Sequence, residues 1–340
     1  MYVVGVKENR HTADDLRMMQ ALPLELKLAL TKDRIKSWYR EYCGDVYVSR
    51  SGGKDSDVLG DIVKKLYDDV PQVYIQTGLE WESVQKHGRE IADQILYPKM
   101  NFMEVIKSYG YPVISKEVAQ KVEDARRKPD GECARRFTDC EHNRKFPQYS
   151  MEQYAWLLDA PFKISHKCCD IMKKSPSKEY EKKTGRKPFI GTLADESRLR
   201  RTKWLRFGCN AFDEKRPTSN PLSFWLETDI LRYIKENNIP IADVYGDVVY
   251  ENDGFYYYDG FGDNLTTTGA KRTGCIFCLF GITQDKERFV RLKSREPKRY
   301  EFVMNGGHFE NGLWIPDEKG LGYKFVIDWL NEHGNLGIKY

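Results

Sequence analysis

The sequence of 340 residues is longer than one hydrophobic core usually organises, which predicts either one large domain with an extension or two domains. Hydrophobic residues make up 40% of the chain and charged residues 31%, a balance that excludes collagen-like, low-complexity and wholly disordered classes. No stretch approaches the roughly 18 to 20 uninterrupted apolar residues of a membrane span, and the N-terminus has no apolar signal core. We therefore expect a cytoplasmic protein with no membrane partner.

Basic residues are concentrated in the middle of the chain. The formal net charge is only +4, but residues 121–206 hold 22 Lys and Arg against 13 Asp and Glu. Such a segment suits a phosphate-rich ligand, either a nucleotide or a nucleic acid. Solvated helix faces rich in lysine explain the same pattern equally well.

Strands alternating with helices are predicted from residue 45 onward. Residues 1–44 have apolar residues at helical spacing, broken near Pro23, and precede the core. The β-branched run 45–49 predicts a strand, and 72–76 predicts a second. The further predicted elements are helices over 58–67, 82–95, 102–109, 116–127, 149–158 and 228–237, a strand over 188–191 leading into a helix near Glu196, no regular element over 133–148, and an irregular C-terminal extension over 244–340. This alternation predicts an α/β fold with a doubly wound, mostly parallel sheet.

A glycine-rich loop, Ser51-Gly-Gly-Lys-Asp-Ser56, stands between the first strand and the helix that follows it. Its glycines let backbone N–H groups approach phosphate oxygens, and the helix N-terminus favours negative charge. In such a loop Lys54 would neutralise a phosphate and Asp55 would help to hold Mg²⁺. A tight turn with a capping serine would need one glycine but not the whole string. The loop therefore predicts a nucleotide-binding domain, which we assign to residues 45–243.

Several motifs in order along the chain resemble the phosphoadenosine phosphosulfate (PAPS) reductase family, a branch of the pyrophosphatase-loop (PP-loop) adenine nucleotide alpha hydrolases. They are the loop itself, Gln76-Thr-Gly-Leu-Glu80, residues 111–117, Gly191-Thr-Leu-Ala-Asp-Glu-Ser-Arg198, and Asn220-Pro-Leu-Ser-Phe-Trp225 with Asp229. The resemblance implies an enzyme that binds ATP or an adenylyl sulfate nucleotide, with Mg²⁺. The binding residues that it implies are Ser49, Ser51, Gly52, Gly53, Lys54, Asp55, Ser56, Thr77, Gly78 and Leu79, with Gly191 and Arg198 closing the site from the far side. Arg200 and Arg201 are equally consistent with surface charges.

Four of the eight cysteines form a metal-binding pattern. Cys168 and Cys169 are adjacent, and Cys275 and Cys278 form a C-x-x-C pair. In a chain without an export signal, this spacing favours a metal centre over disulfides. The pattern resembles that of assimilatory adenylyl-sulfate reductases, which implies a four-iron, four-sulfur (4Fe-4S) cluster. A zinc ion is the alternative.

One further cysteine bears on the reaction. The related reductases carry a nucleophilic cysteine near the C-terminus, whereas no cysteine follows Cys278 in this sequence. Cys209 is the spare thiol nearest the basic stretch. It is interpreted either as a persulfide carrier or cluster ligand, or as a buried structural cysteine.

Two reactions are therefore expected, with Lys54, Asp55 and Cys209 as the predicted catalytic residues. In the preferred one, ATP activates an acceptor oxygen as an adenylate, and sulfur delivered by the cluster or a persulfide displaces AMP. Similarity to DNA-phosphorothioation proteins and tRNA thiolases implies a DNA or tRNA acceptor and a sulfur donor such as a cysteine desulfurase. In the second, the enzyme reduces adenylyl sulfate or its 3′-phosphorylated form to sulfite. A nucleotide-binding module without turnover is the third interpretation.

Overall fold

The computed structural model describes residues 9–252, 254–258 and 264–340, so part of the predicted N-terminal segment and of the irregular extension lies outside the described residues. The α-helices are α1 Ala13–Gln20, α2 Leu24–Glu41, α3 Lys54–Leu66, α4 Glu82–Glu90, α5 Phe102–Tyr109, α6 Lys116–Arg127, α7 Glu132–Thr138, α8 Cys140–Lys145, α9 Ser175–Thr184, α10 Arg198–Phe207, α11 Glu227–Asn237, α12 Arg288–Arg295, α13 Pro297–Met304 and α14 Tyr323–Gly334. The strands are β1 Val46–Arg50, β2 Gln72–Ile75, β3 Gln94–Leu96, β4 Val113–Ile114, β5 Lys187–Ile190, β6 Asn210–Ala211, β7 Thr218–Ser219, β8 Val248–Asn252, β9 Phe255–Tyr257, β10 Leu265–Thr267, β11 Leu279–Phe280, β12 His308–Glu310 and β13 Leu313–Ile315. None of these helices combines the length and apolarity needed to cross a membrane.

The chain divides into two compact units. Unit 1 consists of residues 1–97 and 176–273, and unit 2 consists of residues 98–175 and 274–340. This division differs from the predicted segments 1–44, 45–243 and 244–340, because the chain leaves unit 1 after β3 and returns to it at α9. A return of this kind has no signature in local sequence.

Unit 1 is organised around a six-stranded sheet in the order β3-β2-β1-β5-β7-β6. The pairings from β3 to β7 are parallel, and only the last pair, β7 with β6, is antiparallel. Side chains of β1 alternate between two faces. Val46 and Val48 pack in the main core with Ile62 of α3, whereas Tyr47 packs against Tyr180 of α9 on the other face. Helices therefore cover both faces, and the predicted α/β class with a mostly parallel sheet is confirmed.

The main core of unit 1 also holds the N-terminal helices in place. Ile35 and Trp38 of α2 are fully buried in it. Lys27 of α2 forms a buried ion pair with Asp229 of α11, with 2.6 Å between Nζ and Oδ2. Asp229 also accepts from the backbone N–H of Leu226, which fixes the first turn of α11. Helix α2 is thus part of the core of unit 1 rather than a separate appendage.

Unit 2 packs around a cluster of aromatic side chains. Tyr111 makes edge contacts with Phe162 and Tyr323, with ring centroids 5.6 Å apart in each pair. Phe162 contacts Trp329 of α14, and Phe289 of α12 contacts Tyr323. Strands β4 and β11 pair in parallel, which joins the two chain segments of this unit.

Three stretches differ from their sequence-based predictions. The predicted helix over 82–95 is wrong at its end, because α4 stops at Glu90 and 94–96 form β3, whose pairing with β2 outweighs helical periodicity. The polar region 133–148 contains α7 and α8, the latter capped by the Asp139 side chain. The C-terminal extension is more regular than predicted, because α12, α13 and α14 each bury an apolar face.

Candidate functional site

The glycine-rich loop lies at the carboxyl end of β1, the edge of a parallel sheet where ligands of open α/β folds bind. Helix α3 begins at Lys54, and its N-cap Gly53 provides no side-chain cap. An uncapped helix N-terminus leaves backbone N–H groups available to an anion. The sequence prediction of strand, loop and helix therefore matches the observed order of elements.

Two serine hydroxyls hold the loop in its folded shape. The backbone N–H of Ser51 donates to Oγ of Ser56 over 3.1 Å, and the N–H of Gly53 donates to Oγ of Ser51 over 3.3 Å. The Ser56 hydroxyl donates to the carbonyl of Gly53 over 2.8 Å. Ser51 and Ser56, two of the three serines predicted to bind the ligand, thus form hydrogen bonds with the loop backbone, and Ser51 is the exposed one of the two.

The glycines of the site have different physical requirements. Gly52 adopts φ +69°, and an added Cβ would lie 2.8 Å from the carbonyl oxygen of Val84. Gly53 has an ordinary φ of −100°, and its Cβ would lie 3.3 Å from the hydroxyls of Ser51 and Tyr245. Gly191, at the end of β5, would place a Cβ 2.7 Å from the carbonyl oxygen of Asp55. Gly52 and Gly191, more than Gly53, therefore require glycine, and Gly191 lies directly against the loop.

Lys54 is buried and already partnered. Its Nζ forms an ion pair with Glu227 at the start of α11 and donates to the carbonyl of Lys271 over 2.9 Å. It also lies 5.2 Å from the ring centroid of Tyr245. The predicted phosphate-neutralising lysine therefore ties α3 to α11 in this structure.

Asp55 lies among several charges. Burial, followed by the neighbouring Glu227 carboxylate, raises the pKa of Asp55 to about 6, against the opposing influence of Lys54, Arg200 and Arg272. Arg200 forms an ion pair with Glu196. Sequence reasoning missed Glu227 and Arg272, which no local pattern singles out, and treated Arg200 as an equal candidate for a surface charge.

The remaining predicted binding residues lie at strand ends. Thr77, Gly78 and Leu79 follow β2, and the Thr77 hydroxyl donates to the Glu80 carboxylate over 2.8 Å while accepting from the Leu79 N–H. Ser49 lies within β1, in register with Val73 and Ile190 of the two neighbouring strands. Arg198 is exposed at the first position of α10. Its neighbour Arg200 is the arginine that interacts with the loop carboxylate.

We expect the stability of the nucleotide-free protein to depend on pH through Asp55. Because its pKa rises from 3.8 to about 6 on folding, the folded state holds more protons between these values, and its stability falls as pH rises through this window. Asn does not titrate, so Asp55→Asn removes this pH-dependent loss of stability. The free energy of unfolding of the variant, relative to that of the wild type, should therefore increase by at most about 3 kcal/mol from pH 4 to pH 7. Urea unfolding at several pH values measures the difference.

Asp68→Asn, at an exposed turn, controls for the loss of a carboxylate as such. If the stability difference between Asp55→Asn and the wild type were constant from pH 4 to pH 7, the raised pKa would be refuted.

The four cysteines of the predicted metal centre lie in unit 2. The Sγ atoms of Cys168 and Cys169 are 4.0 Å apart, and the N–H of Cys278 donates to the carbonyl of Cys275 over 3.1 Å. Burial raises the pKa of the Cys278 thiol to about 12, with further contributions from Cys275 and Cys169. The hydrogen bond with Cys169 and burial raise the pKa of Cys168 as well, and both cysteines of the C-x-x-C pair add to this. The fold therefore brings all four thiols within electrostatic reach of one another.

The four cysteine thiols are chemically suited to a thiolate-ligated metal centre, although they are not already grouped around the position of a single ion. Across residues 9–252, 254–258 and 264–340, no three His, Cys, Asp or Glu side chains are grouped closely enough to hold a metal ion. The hydrogen bond from Cys168 lowers the pKa of Cys169 to about 6, and Lys116 and Lys173 contribute to the same effect. Cys168 and Cys278, whose pKa values are raised in part by neighbouring thiols, and Cys169, whose thiolate the nearby lysines favour, are together suited to a cationic iron core that offsets the repulsion between thiolates.

Both cysteine segments are held by contacts within unit 2. Glu123 of α6 accepts from the Ser165 hydroxyl over 3.1 Å and lies 3.0 Å from Nζ of Lys167, immediately before the cysteine pair. Arg288 donates to the carbonyls of Cys278 and Phe280. The five residues after the pair, Asp170–Lys174, form a π-helix, a rare conformation that is frequent at functional sites.

Cys209 belongs to the main core of unit 1. Its side chain packs with Trp204 and accepts from the Ser223 hydroxyl over 3.4 Å. Burial raises the pKa of this thiol above its usual value. A buried, protonated thiol does not suit a sulfur carrier that must be approached from outside. The geometry therefore favours the structural interpretation of Cys209.

Comparison with known proteins identifies the family. Residues 45–278 match the phosphoadenosine phosphosulfate reductase domain. Two uncharacterized proteins of Methanocaldococcus jannaschii are similar to this chain. MJ0973 is 22% identical over 298 residues, which cover 85% of this chain and 52% of that protein, and MJ0066 is 23% identical over 301 residues, which cover 82% and 47%. The chain therefore spans about half the length of these relatives.

Among solved structures, the PAPS reductase from Candida auris in a phosphate complex is similar at 15% identity and a TM-score of 0.37, over 69% of this chain and 92% of that one. The match to the domain, which spans well over half of the sequence, confirms the resemblance carried by the motifs. The chain belongs to the phosphoadenosine phosphosulfate reductase domain family.

Proposed function

We propose that unit 1 binds ATP or a related adenylyl nucleotide at the loop 51–56 and uses it to adenylate an acceptor oxygen, which sulfur then replaces. The observation that carries the proposal is the loop itself, held open by its own serines at the end of β1, with Gly191 against its backbone and the uncapped N-terminus of α3 behind it. These features are suited to the phosphates of a nucleotide.

The residues have distinct roles in this proposal. Backbone N–H groups of the loop bind phosphate oxygens, and Asp55 in its ionised form contributes to Mg²⁺ binding. Lys54 forms an ion pair with Glu227 and so positions α3 against α11. In this proposal Lys54 does not bind a phosphate directly. Arg200 and Arg272, which already interact with Asp55, supply positive charge for the phosphates.

With sulfide as the sulfur source, the proposed chemistry balances without an external oxidant or reductant. The acceptor oxygen attacks the α-phosphorus, a P–O bond forms, and the bond to the β-phosphate breaks with release of pyrophosphate. Sulfide then attacks the atom that carries this oxygen, which is a base carbon in tRNA or a phosphorus in the DNA backbone. The bond between that atom and the oxygen breaks, and AMP leaves with the electron pair. The acceptor class that we propose is DNA or tRNA, because the basic segment 121–206 suits a nucleic-acid backbone. A cysteine desulfurase is the proposed source of sulfur in the cell; its persulfide is first cleaved by a second thiol, which is oxidised to a disulfide and supplies the two electrons that release the sulfur as sulfide.

We propose that Cys168, Cys169, Cys275 and Cys278 hold a 4Fe-4S cluster. When bound, such a cluster supplies iron sites for sulfur ligands or for electron transfer. The mutual influence of the four thiols on one another's pKa supports the assignment.

Reduction of adenylyl sulfate or its 3′-phosphorylated form is the second candidate. The family to which the chain belongs favours it, since the matched domain is named for that reaction. The burial of Cys209 disfavours it, because this route needs an accessible thiolate that attacks sulfur and is then released by a second thiol.

One experiment separates the candidates. Anaerobic protein is incubated with Mg²⁺ and ATP labelled at the α-phosphate, with sodium sulfide and either duplex DNA or tRNA, and AMP and pyrophosphate are measured. A parallel reaction contains adenylyl sulfate and a thioredoxin system, and sulfite is measured. We expect AMP and pyrophosphate that require the nucleic acid, and no sulfite above background.

Each alternative has its own outcome. Sulfite release would establish the reductase and reject adenylation, and Cys209→Ser would then show whether the buried thiol takes part. Binding of ATP without any product would reject both reactions and leave a nucleotide-binding module. Nucleic-acid binding that does not weaken with salt would reject the proposed acceptor class, because each neutralised phosphate contributes a log–log slope of about −0.9 on duplex DNA.

A further inference from the structure

A buried ion pair joins the two residues that flank the glycine-rich loop. Arg50 is the last residue of β1, and Asp57 lies in the first turn of α3, immediately after Ser56. Nη2 of Arg50 donates to Oδ1 of Asp57 over 2.7 Å, and the two side chains are 7% and 1% exposed. The loop therefore has its two ends tied together beneath it by a charge-assisted hydrogen bond.

The pair is anchored on both sides to other elements of unit 1. Nη1 of Arg50 donates to Oε1 of Gln72 in β2 over 2.9 Å. Nε2 of His87 in α4 lies 3.0 Å from Oδ2 of Asp57, and since an ionised carboxylate only accepts, the imidazole donates. We call these four side chains, Arg50, Asp57, Gln72 and His87, the loop clasp. All four are buried.

Helix α3 is adapted to the clasp. At Gly60 an added Cβ would lie 1.7 Å from Nη1 of Arg50 and 2.7 Å from Oε1 of Gln72. Glycine within a helix is unfavourable because it loses more backbone freedom than other residues. Only a residue without a side chain leaves room for the guanidinium at this position, so the clasp depends on Gly60 as well as on its four side chains.

We infer that Arg50 and Asp57 are positioning residues that hold the loop in its phosphate-binding shape before any ligand arrives. The inference rests on the proposed nucleotide binding and deepens it. A loop that is already ordered loses less freedom on binding, and affinity rises accordingly. The clasp acts through the backbone of residues 51–56, because its four side chains are buried and the Arg50–Asp57 hydrogen bond joins the two residues that flank the loop.

The decisive variant is the double replacement Arg50→Met with Asp57→Asn. Removing both charges leaves neither of them buried and unpaired, which is the usual reason for misfolding when one partner is lost. In the nucleotide-free variant we expect the amides of Ser51, Gly53 and Ser56 to exchange hydrogen on the order of tenfold faster. The dissociation constant for ATP, measured by calorimetry, should rise on the order of tenfold.

A matched control and a second variant complete the test. Arg216→Met with Glu181→Gln removes another ion pair of unit 1, and it should lower the melting temperature without changing loop exchange or ATP affinity. His87→Gln leaves the Arg50–Asp57 pair intact and should raise the rate of amide hydrogen exchange in the loop about threefold. This variant therefore tests whether the clasp orders the loop if the double variant does not fold.

Two results have separate meanings. A folded double variant with wild-type loop exchange and wild-type ATP affinity would overturn the clasp, as would unchanged loop exchange in His87→Gln if the double variant does not fold. Wild-type protein that does not bind ATP would overturn the proposed function, and loop exchange in the nucleotide-free protein would still decide whether the clasp orders the loop.

Discussion

Serine at Cys275 or Cys278 is expected to abolish the brown colour of the anaerobically purified protein. The wild type should carry four irons and four sulfides per chain and absorb at roughly 400 nm, where thiolate-to-iron charge transfer falls in such clusters. A serine hydroxyl is a harder and far less acidic ligand than a thiol, so loss of one thiolate from a four-thiolate set should leave less than about one tenth of the iron bound. Iron and sulfide assays with absorption spectra provide the measurement.

Cys43→Ser and Cys140→Ser are the matched controls, because both of these thiols are exposed and neither belongs to the set of four. Their iron content and spectra should equal those of the wild type. Colourless wild-type protein with one tightly bound zinc per chain would reject the cluster, and iron retained in both Cys275→Ser and Cys278→Ser would reject the ligand assignment.

The strand, loop and helix of the proposed nucleotide site could be predicted from sequence because their signals are contiguous. A β-branched run, a glycine string and an amphipathic run follow one another over residues 45–67, and β1, the loop and α3 appear in that order. The four cysteines could be singled out in the same way, since two short patterns occur in one chain, and their role as metal ligands stays a prediction. That unit 2 contains all four cysteines is a property of the fold.

The partners of the loop could not be predicted, because they come from distant parts of the chain. Lys54 looks like a phosphate ligand in sequence, but its ion pair with Glu227 joins residues 173 positions apart. Arg50 and Asp57 resemble solvent-exposed charges beside a loop, and only their burial against Gln72 and His87 shows that they form a clasp. Cys209 could be interpreted in two ways until its place in the core was known.

The glycines of the site also could not be ranked by importance from sequence, and their ranking can be measured. In the sequence Gly52 and Gly53 are both simply glycines of the loop, yet Gly53 has an ordinary backbone φ and its nearest neighbours are hydroxyls that can move. Gly191 has no such freedom, because its neighbours are backbone atoms of Asp55 and Ser56 at the start of α3. The position expected to be more sensitive is therefore 136 residues away in sequence from Asp55, whose backbone it lies against, and directly follows the neighbouring strand β5.

We expect Gly191→Ala to weaken ATP binding at least about 100-fold, whereas Gly53→Ala should weaken it only several-fold. The new methyl at residue 191 would lie 2.7 Å from the Asp55 carbonyl oxygen and 3.0 Å from Cα of Ser56, so the loop and the first turn of α3 must move away from β5. A displacement of that size misaligns the N–H groups that bind phosphate. Calorimetry with ATP and Mg²⁺ measures both variants against the wild type.

Gly274→Ala controls for the substitution itself, because an added Cβ there meets no atom within 4 Å and no left-handed backbone is involved. Circular dichroism and the melting temperature must show that Gly191→Ala is folded before its affinity is interpreted. If folded Gly191→Ala bound ATP as tightly as the wild type while Gly53→Ala did not, binding would depend on the space around Gly53 and not on the packing of Gly191 against the backbone of the loop and α3, and the prediction would be wrong. A larger loss of ATP affinity in Gly191→Ala than in Gly53→Ala is therefore the result expected if affinity depends on how the loop packs against its neighbours. The opposite order is expected if affinity depends only on the glycines within the loop.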